Sequence, residues 1–170
     1  MRAWLAVRAL FFVALLPGMV AGYVPFRILR SAGQLALPPI TLSAILAALV
    51  ALGGAGVLFS CVWEFFAAGR GTLAPLDPPR RLVVSGLYRF TRNPMYNGVI
   101  SLLLGEAWFF SSLDLLKYSV VVLAAFHLFI VLYEERTLES RFGDAYRSYR
   151  KVVPRWGFTI QPYPETRGTA

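Results

Sequence analysis

The sequence predicts an all-α integral membrane protein of about four transmembrane helices, with a helical hairpin and a C-terminal interfacial helix, in a single membrane domain over 1–170. Three observations predict it. Hydrophobic residues make up 57% of the chain and aromatic ones 15%, and the mean hydropathy is +0.59, well beyond what a small water-soluble core needs. Apolar runs recur at the length of a bilayer crossing, about twenty residues for a core roughly 30 Å thick. The basic residues behind the formal charge of +8 collect in segments flanking those runs, the pattern of cytoplasmic loops and not of a nucleic-acid-binding face. One Cys and one His leave no disulfide framework and no structural zinc, so no metal site is expected.

The first two helices fall in 1–66. An apolar run over 4–28 carries Arg8 and is broken by Pro17-Gly18, which a membrane helix tolerates when neighbours re-satisfy the backbone; Arg2 and the small residues Val20-Ala21-Gly22 also fit a signal peptide over 1–22. A second run, 40–66, spans with some tilt, and its Gly53-Gly54-Ala55-Gly56 offers a smooth packing face. A polar segment, 67–91, follows, with turn signals at Gly69-Arg70-Gly71-Thr72 and Asp77-Pro78-Pro79. Runs over 96–110 and 115–133 are joined by Ser111-Ser112-Leu113-Asp114, the link of a helical hairpin. The stretch 136–155 is basic and amphipathic, with Leu138, Phe142, Tyr146 and Tyr149 at helical spacing, so it is expected along the interface, where Tyr146 and Tyr149 act as headgroup-level anchors. Little order is expected from Gly157 onward. Arg70, Arg80, Arg81, Arg89 and Arg92 lie in the central loop, and Arg136, Arg141, Arg147, Arg150, Lys151 and Arg155 in the tail. Against Arg27, Arg30 and Lys117 on the other side, they put both termini in the cytoplasm.

Chemistry concentrates at two helix ends. In Arg92-Asn93-Pro94-Met95-Tyr96-Asn97-Gly98, Asn93 suits an N-cap and Pro94 a first helical residue, leaving free backbone N–H groups to face an anion. Glu134-Glu135 closes a later apolar run, where the negative end of the helix dipole adds to their charge and attracts a cation. With the topology above, both ends share the cytoplasmic surface and suit a zwitterion. Taken alone, Asn93-Pro94 is also an ordinary helix start, and Glu134-Glu135 a solvated helix end paired with Arg136 or Arg141. Glu64, Glu106 and His127 are ionisable within apolar runs and are functional candidates by position. His127 lies two turns before Glu134 on one face; it either lines a substrate pocket or pairs with Glu106 across the hairpin. Glu64 is near enough to a helix end to snorkel.

Taken in order, Gly71-Thr72-Leu73-Ala74-Pro75, Leu82-Val83-Val84-Ser85-Gly86-Leu87-Tyr88, the block 92–98, Glu134-Glu135, and Phe142-Gly143-Asp144-Ala145-Tyr146 through Val153-Pro154 resemble the isoprenylcysteine carboxyl methyltransferase and phospholipid methyltransferase superfamily of membrane enzymes. The resemblance covers the chain from about Gly69 to Trp156, within a methyltransferase-like core over 67–156 that 157–170 follows as a tail. It implies S-adenosyl-L-methionine as cofactor and a lipophilic substrate entering from the bilayer of a plasma or inner membrane. The cofactor carboxylate would take Asn93 and the N–H groups past Pro94, its ammonium Glu134 or Glu135, and its sulfonium Tyr88 and Tyr96. By position in the family, Arg81, Leu82 and Val83 would add backbone contacts and Arg92 would join the site. Glu106, His127 and Ile130 would line the substrate pocket.

Two departures qualify the resemblance. Asn93 stands where the family commonly has His, and Ile130 where prenylcysteine enzymes are expected to carry an Arg, so prenylcysteine is a doubtful acceptor. Methyl transfer needs alignment and exclusion of water more than acid or base chemistry; an amine acceptor would add a need for a proton acceptor, and His127 is the candidate catalytic group. A membrane sterol-type reductase using NADPH and a non-enzymatic membrane scaffold are the alternatives.

Overall fold

The computed structural model describes residues 17–68, 82 and 84–164, with the backbone alone for 64–68. Among the described residues every regular element is helical: α1 (Val24–Ser31), α2 (Leu42–Ala68), α3 (Pro94–Phe109), α4 (Leu113–Phe129) and α5 (Glu135–Val152). π-turns at Met19–Tyr23 and Ile130–Glu134 lead into α1 and α5, and a 3-10 turn at Gly86–Arg89 precedes α3. Leu42–Trp63 and Leu113–Val152 are long and apolar enough to cross a membrane, which supports an integral-membrane placement. The signal-peptide alternative at the N-terminus, the loop motifs from Gly69 to Arg80, and the Glu64 side chain lie outside what is described.

Pro17 and Gly18, the first described residues, are themselves helical. Gly18 has helical angles (φ −66°, ψ −39°), and the irregularity is the π-turn that follows. Tyr118 ties this segment to α4 by donating to the Val20 carbonyl at 3.0 Å.

The closest packing is between α2 and α3, and glycine permits it. A Cβ on Gly105 would sit 2.5 Å from the Ala51 backbone nitrogen, and one on Gly54 would sit 2.5 Å from the Leu102 nitrogen and 2.6 Å from the Gly98 carbonyl oxygen. The helices can therefore touch backbone to backbone only because these positions lack side chains. Gly53 and Gly56 have nothing within 4 Å, so the smooth face of the Gly53-Gly54-Ala55-Gly56 cluster reduces to Gly54. Gly105→Ala should lower stability by about 1–3 kcal/mol through overpacking, whereas Gly53→Ala should not; thermal unfolding of both variants in detergent tests this, and equal melting temperatures would contradict it.

Phe110 to Ser112 link α3 to α4. Ser111 takes a positive φ of 49°, and the Ser112 hydroxyl caps α4 by accepting from the Leu115 amide at 3.4 Å. Leu113 and Asp114, expected in the link, are already helical. Val99, Ile100, Leu103 and Ala107 of α3, Leu115 and Val122 of α4, and Ala21 and Leu29 form one apolar core.

The stretch expected as a C-terminal interfacial helix continues from α4 and turns at Gly143. Nothing around Tyr133-Glu134-Glu135-Arg136 breaks a helix, and the chain runs from α4 through the π-turn into α5 as one element of 40 residues. From Leu113 to Phe142, ahead of the turn at Gly143, the helix is about 45 Å long at 1.5 Å per residue, longer than a hydrocarbon core, so its charged part, from Glu134 on, lies beyond the apolar part that ends at Tyr133. The turn comes later, at Gly143, whose φ of 51° and ψ of −124° suit glycine and few other residues. Beyond it the helix returns to the domain. Tyr146 and Tyr149 are 2% and 3% exposed and pack with Val84 and Val153; they are core residues and not headgroup anchors. The described part of the tail, 157–164, is held to the domain, because Thr159 and Tyr163 donate backbone N–H groups to the carbonyls of Phe90 (2.8 Å) and Arg89 (2.9 Å).

Candidate active site

The first turn of α3, the end of the π-turn and the returning tail meet in one polar cluster at the ends of α3 and α4. Pro94 opens α3, as its fixed φ and missing N–H favour. Asn93 precedes it with φ −129° and ψ 59°, but its side chain makes no capping bond. The expected cap is not made; instead Asn93 Nδ2 donates to the Arg155 carbonyl at 3.1 Å, and the Arg92 amide donates to the Pro154 carbonyl at 3.0 Å. The N–H groups of Met95 and Tyr96, in the first helical turn, have no partner within the helix by its geometry.

The adjacent acids have different environments. Glu135 accepts from Arg92 at 2.9 Å and from Arg155 twice, Nε to Oε1 at 2.6 Å and Nη2 to Oε2 at 2.9 Å. Arg92 and Glu135 side chains are 9% and 10% exposed. Glu135 is thus held by Arg92 and Arg155, and not by Arg136 or Arg141, the pairing partners of a solvated helix end. Burial pushes Glu135 upward, but the Arg155 hydrogen bond and the charges of Arg92, Arg155 and Arg150 outweigh it and hold the carboxyl below the ordinary value of 4.5. A depressed acid stabilises the fold fully above its unfolded-state value and ceases to do so as pH falls through its native value. Acid unfolding of the wild type should therefore include a component below about pH 4.5 that Glu135→Gln lacks, measured by tryptophan fluorescence in detergent.

Glu134 has no such compensation. Tyr96 Oη donates to its Oε2 at 3.3 Å, and among the described residues no Lys or Arg lies within ion-pair distance. Burial is the main influence and raises its pKa, the Tyr96 bond lowers it, the neighbouring Glu135 charge raises it, and the net shift is upward. A partly buried carboxylate left in this state is suited to a cation that arrives with a ligand. Across from it, Arg92 Nε is buried and without a hydrogen-bond partner, so the cluster holds spare donors beside a spare acceptor.

Tyrosines frame the cluster. Tyr146 accepts from Arg92 Nη1 at 3.2 Å, Tyr149 donates to the Tyr88 carbonyl, and the Tyr96 ring lies 4.7 Å from that of Phe126 on α4. Of the residues expected in a site, the structure brings together Arg92, Asn93, Pro94, Tyr96, Glu134 and Glu135. Leu82 packs against the buried Val84, Tyr146 and Val153 patch, and Tyr88 adjoins it through its carbonyl. Arg81 and Val83 lie outside the described residues. Ile130 is 1% exposed, with its side chain enclosed. His127 does not serve as a tie to Glu106: its Nδ1 accepts from Trp156 Nε1 at 3.1 Å, and Glu106 Oε2 is buried without a partner. Arg155, Tyr146 and Trp156 were not expected in the cluster. Twenty residues separate Arg155 from Glu135, and no spacing rule relates them; only the Gly143 turn does.

Fold and site together describe a small, membrane-compatible helical protein with a cluster of charged side chains where two apolar helices end. The family model described as phospholipid methyltransferase matches residues 42–145, more than half of the chain, and the protein belongs to that family. No curated protein and no solved structure matches it. The match includes Arg92, Tyr96, Glu134 and Glu135 but ends before Tyr146, Arg155 and Trp156.

Proposed function

We propose that the protein transfers a methyl group from S-adenosyl-L-methionine to a lipophilic acceptor that reaches the cleft from the bilayer. The observation that carries this is Glu134, an uncompensated carboxylate held by Tyr96 against the first turn of α3. The α-ammonium fits Glu134, and the α-carboxylate fits the amides of Met95 and Tyr96 with the spare Nε of Arg92. Tyr96 and Phe126 present aromatic faces to a sulfonium. When bound, the cofactor supplies an electrophilic methyl group. The chain supplies orientation, charge complementarity and a site walled by buried side chains. Glu135 serves as the anchor of Arg92 and Arg155 and so shapes the cleft instead of contacting the ammonium. Tyr88, Leu82, Arg81 and Val83 remain proposed contacts to the rest of the cofactor. The clustering of basic residues supports a site and termini on the cytoplasmic side of the plasma or inner membrane.

Calorimetry of the detergent-solubilised protein with S-adenosylhomocysteine tests the cofactor, and transfer of labelled methyl from S-adenosylmethionine into extracted lipids tests the reaction. Saturable binding and labelled lipid are expected. Binding of NADPH with none of S-adenosylhomocysteine would refute the proposal.

A further inference from the structure

His127 is exposed within the apolar part of α4, seven residues before Glu134, with the π-turn Ile130–Glu134 between them. Its Nδ1 accepts a hydrogen bond from the Trp156 indole at 3.1 Å, with the two rings nearly parallel at 16°. An indole N–H only donates, and an imidazole nitrogen that accepts carries no proton. The bond therefore requires a neutral ring with its hydrogen on Nε2. In that state Nε2 is a donor, and the lone pair a general base would use is engaged by Trp156. A polar N–H exposed among Leu128 and Leu132, which are 55% and 55% exposed, faces apolar surroundings where a donor without an acceptor is costly.

We propose that His127 is a specificity residue acting as a hydrogen-bond donor: its Nε2–H holds an oxygen of the membrane-borne methyl acceptor, and Trp156 fixes the tautomer that makes this possible. This rests on the methyltransferase function proposed above. The ligand chemistry is an oxygen acceptor on an amphiphile, either a phosphodiester or an ester carbonyl. Trp156, on the returning tail, thereby links the tail to substrate choice. Being positioned through Trp156, His127 is not available to take a proton from an amine.

The chain has one histidine, so nitrogen-15 histidine labelling of the full-length protein gives a single imidazole spectrum. In maltoside detergent the wild type should show an unprotonated Nδ1 and a protonated Nε2, and Trp156→Phe should lose that preference. A wild-type ring protonated on Nδ1 overturns the proposal without any variant having to fold. Doping the micelles with dodecylphosphocholine, a phosphodiester without an ester, or with monoolein, an ester without phosphate, should shift the Nε2 signal saturably in one case and so identify the oxygen; a shift with neither overturns the proposal.

In the methyl-transfer assay, His127→Gln keeps a donor near the Nε2 position but has no basic nitrogen, and should stay within about threefold of wild type, whereas His127→Phe should raise KM about tenfold with kcat retained. Equal loss of kcat in both variants would identify a base instead. Should the protein fail to bind S-adenosylhomocysteine, the cofactor assignment fails while the tautomer measurement still stands on its own.

Discussion

Glu134→Gln should reduce affinity for S-adenosylhomocysteine by about 10- to 100-fold, as expected when a charge-assisted hydrogen bond worth about 1.5–3 kcal/mol is lost, with no loss of thermal stability. Among the described residues the side chain's hydrogen-bond partner is Tyr96 at 3.3 Å, and Gln preserves the shape and an acceptor for it. Because burial raises the Glu134 pKa, a cationic ligand selects the ionised form and drives out a proton. Wild-type affinity should therefore weaken as pH falls through that raised value, and the calorimetric enthalpy should depend on the ionisation heat of the buffer; Glu134→Gln should show neither effect. Unchanged affinity in Glu134→Gln would remove the ammonium site from Glu134.

Glu135→Ala should have the opposite profile, a large loss of stability and a loss of binding that follows from it. The mutation leaves Arg92, 9% exposed, buried without its counter-ion and releases both hydrogen bonds from Arg155. Breaking a buried pair on one side costs about 3–5 kcal/mol. The tail should open as a unit, since Arg155 also presents its carbonyl to Asn93 and Pro154 its carbonyl to the Arg92 amide. Limited proteolysis should then cut beyond Gly143 in Glu135→Ala under conditions where wild type and Glu134→Gln resist. If adjacent acids gave matching results in melting and in calorimetry, the division between an anchoring and a ligand-facing carboxylate would be wrong.

The main departures from the sequence's expectations share a reason: propensity and periodicity describe a segment and its solvent, and these departures concern contacts between segments. Tyr146 and Tyr149 at helical spacing in a basic stretch read as interfacial anchors, because the spacing carries no sign of the Gly143 turn that folds them inward. Asn93 before Pro94 read as a cap, since nothing local shows that its amide would be taken by the Arg155 carbonyl 62 residues away. Glu134 and Glu135 looked equivalent because they are adjacent. They differ because consecutive helical side chains point in directions about 100° apart, one toward Tyr96 and the other toward two arginines.

The sequence by itself determined the all-helical class, the membrane-compatible apolar segments, the start of α3 at Pro94 and the pairing of a helix start with an acid pair, because each depends on hydropathy, backbone chemistry or charge along a short stretch. Only the tertiary structure decided that Glu135 is neutralised by Arg92 and Arg155 while Glu134 is not, that the tail closes the site, and that His127 is fixed by Trp156. Those outcomes depend on which distant groups the chain brings within hydrogen-bond distance, and that is set by the close seam of Gly54, Gly98 and Gly105 and by the positive φ at Gly143, whose consequences appear only when the helices are packed.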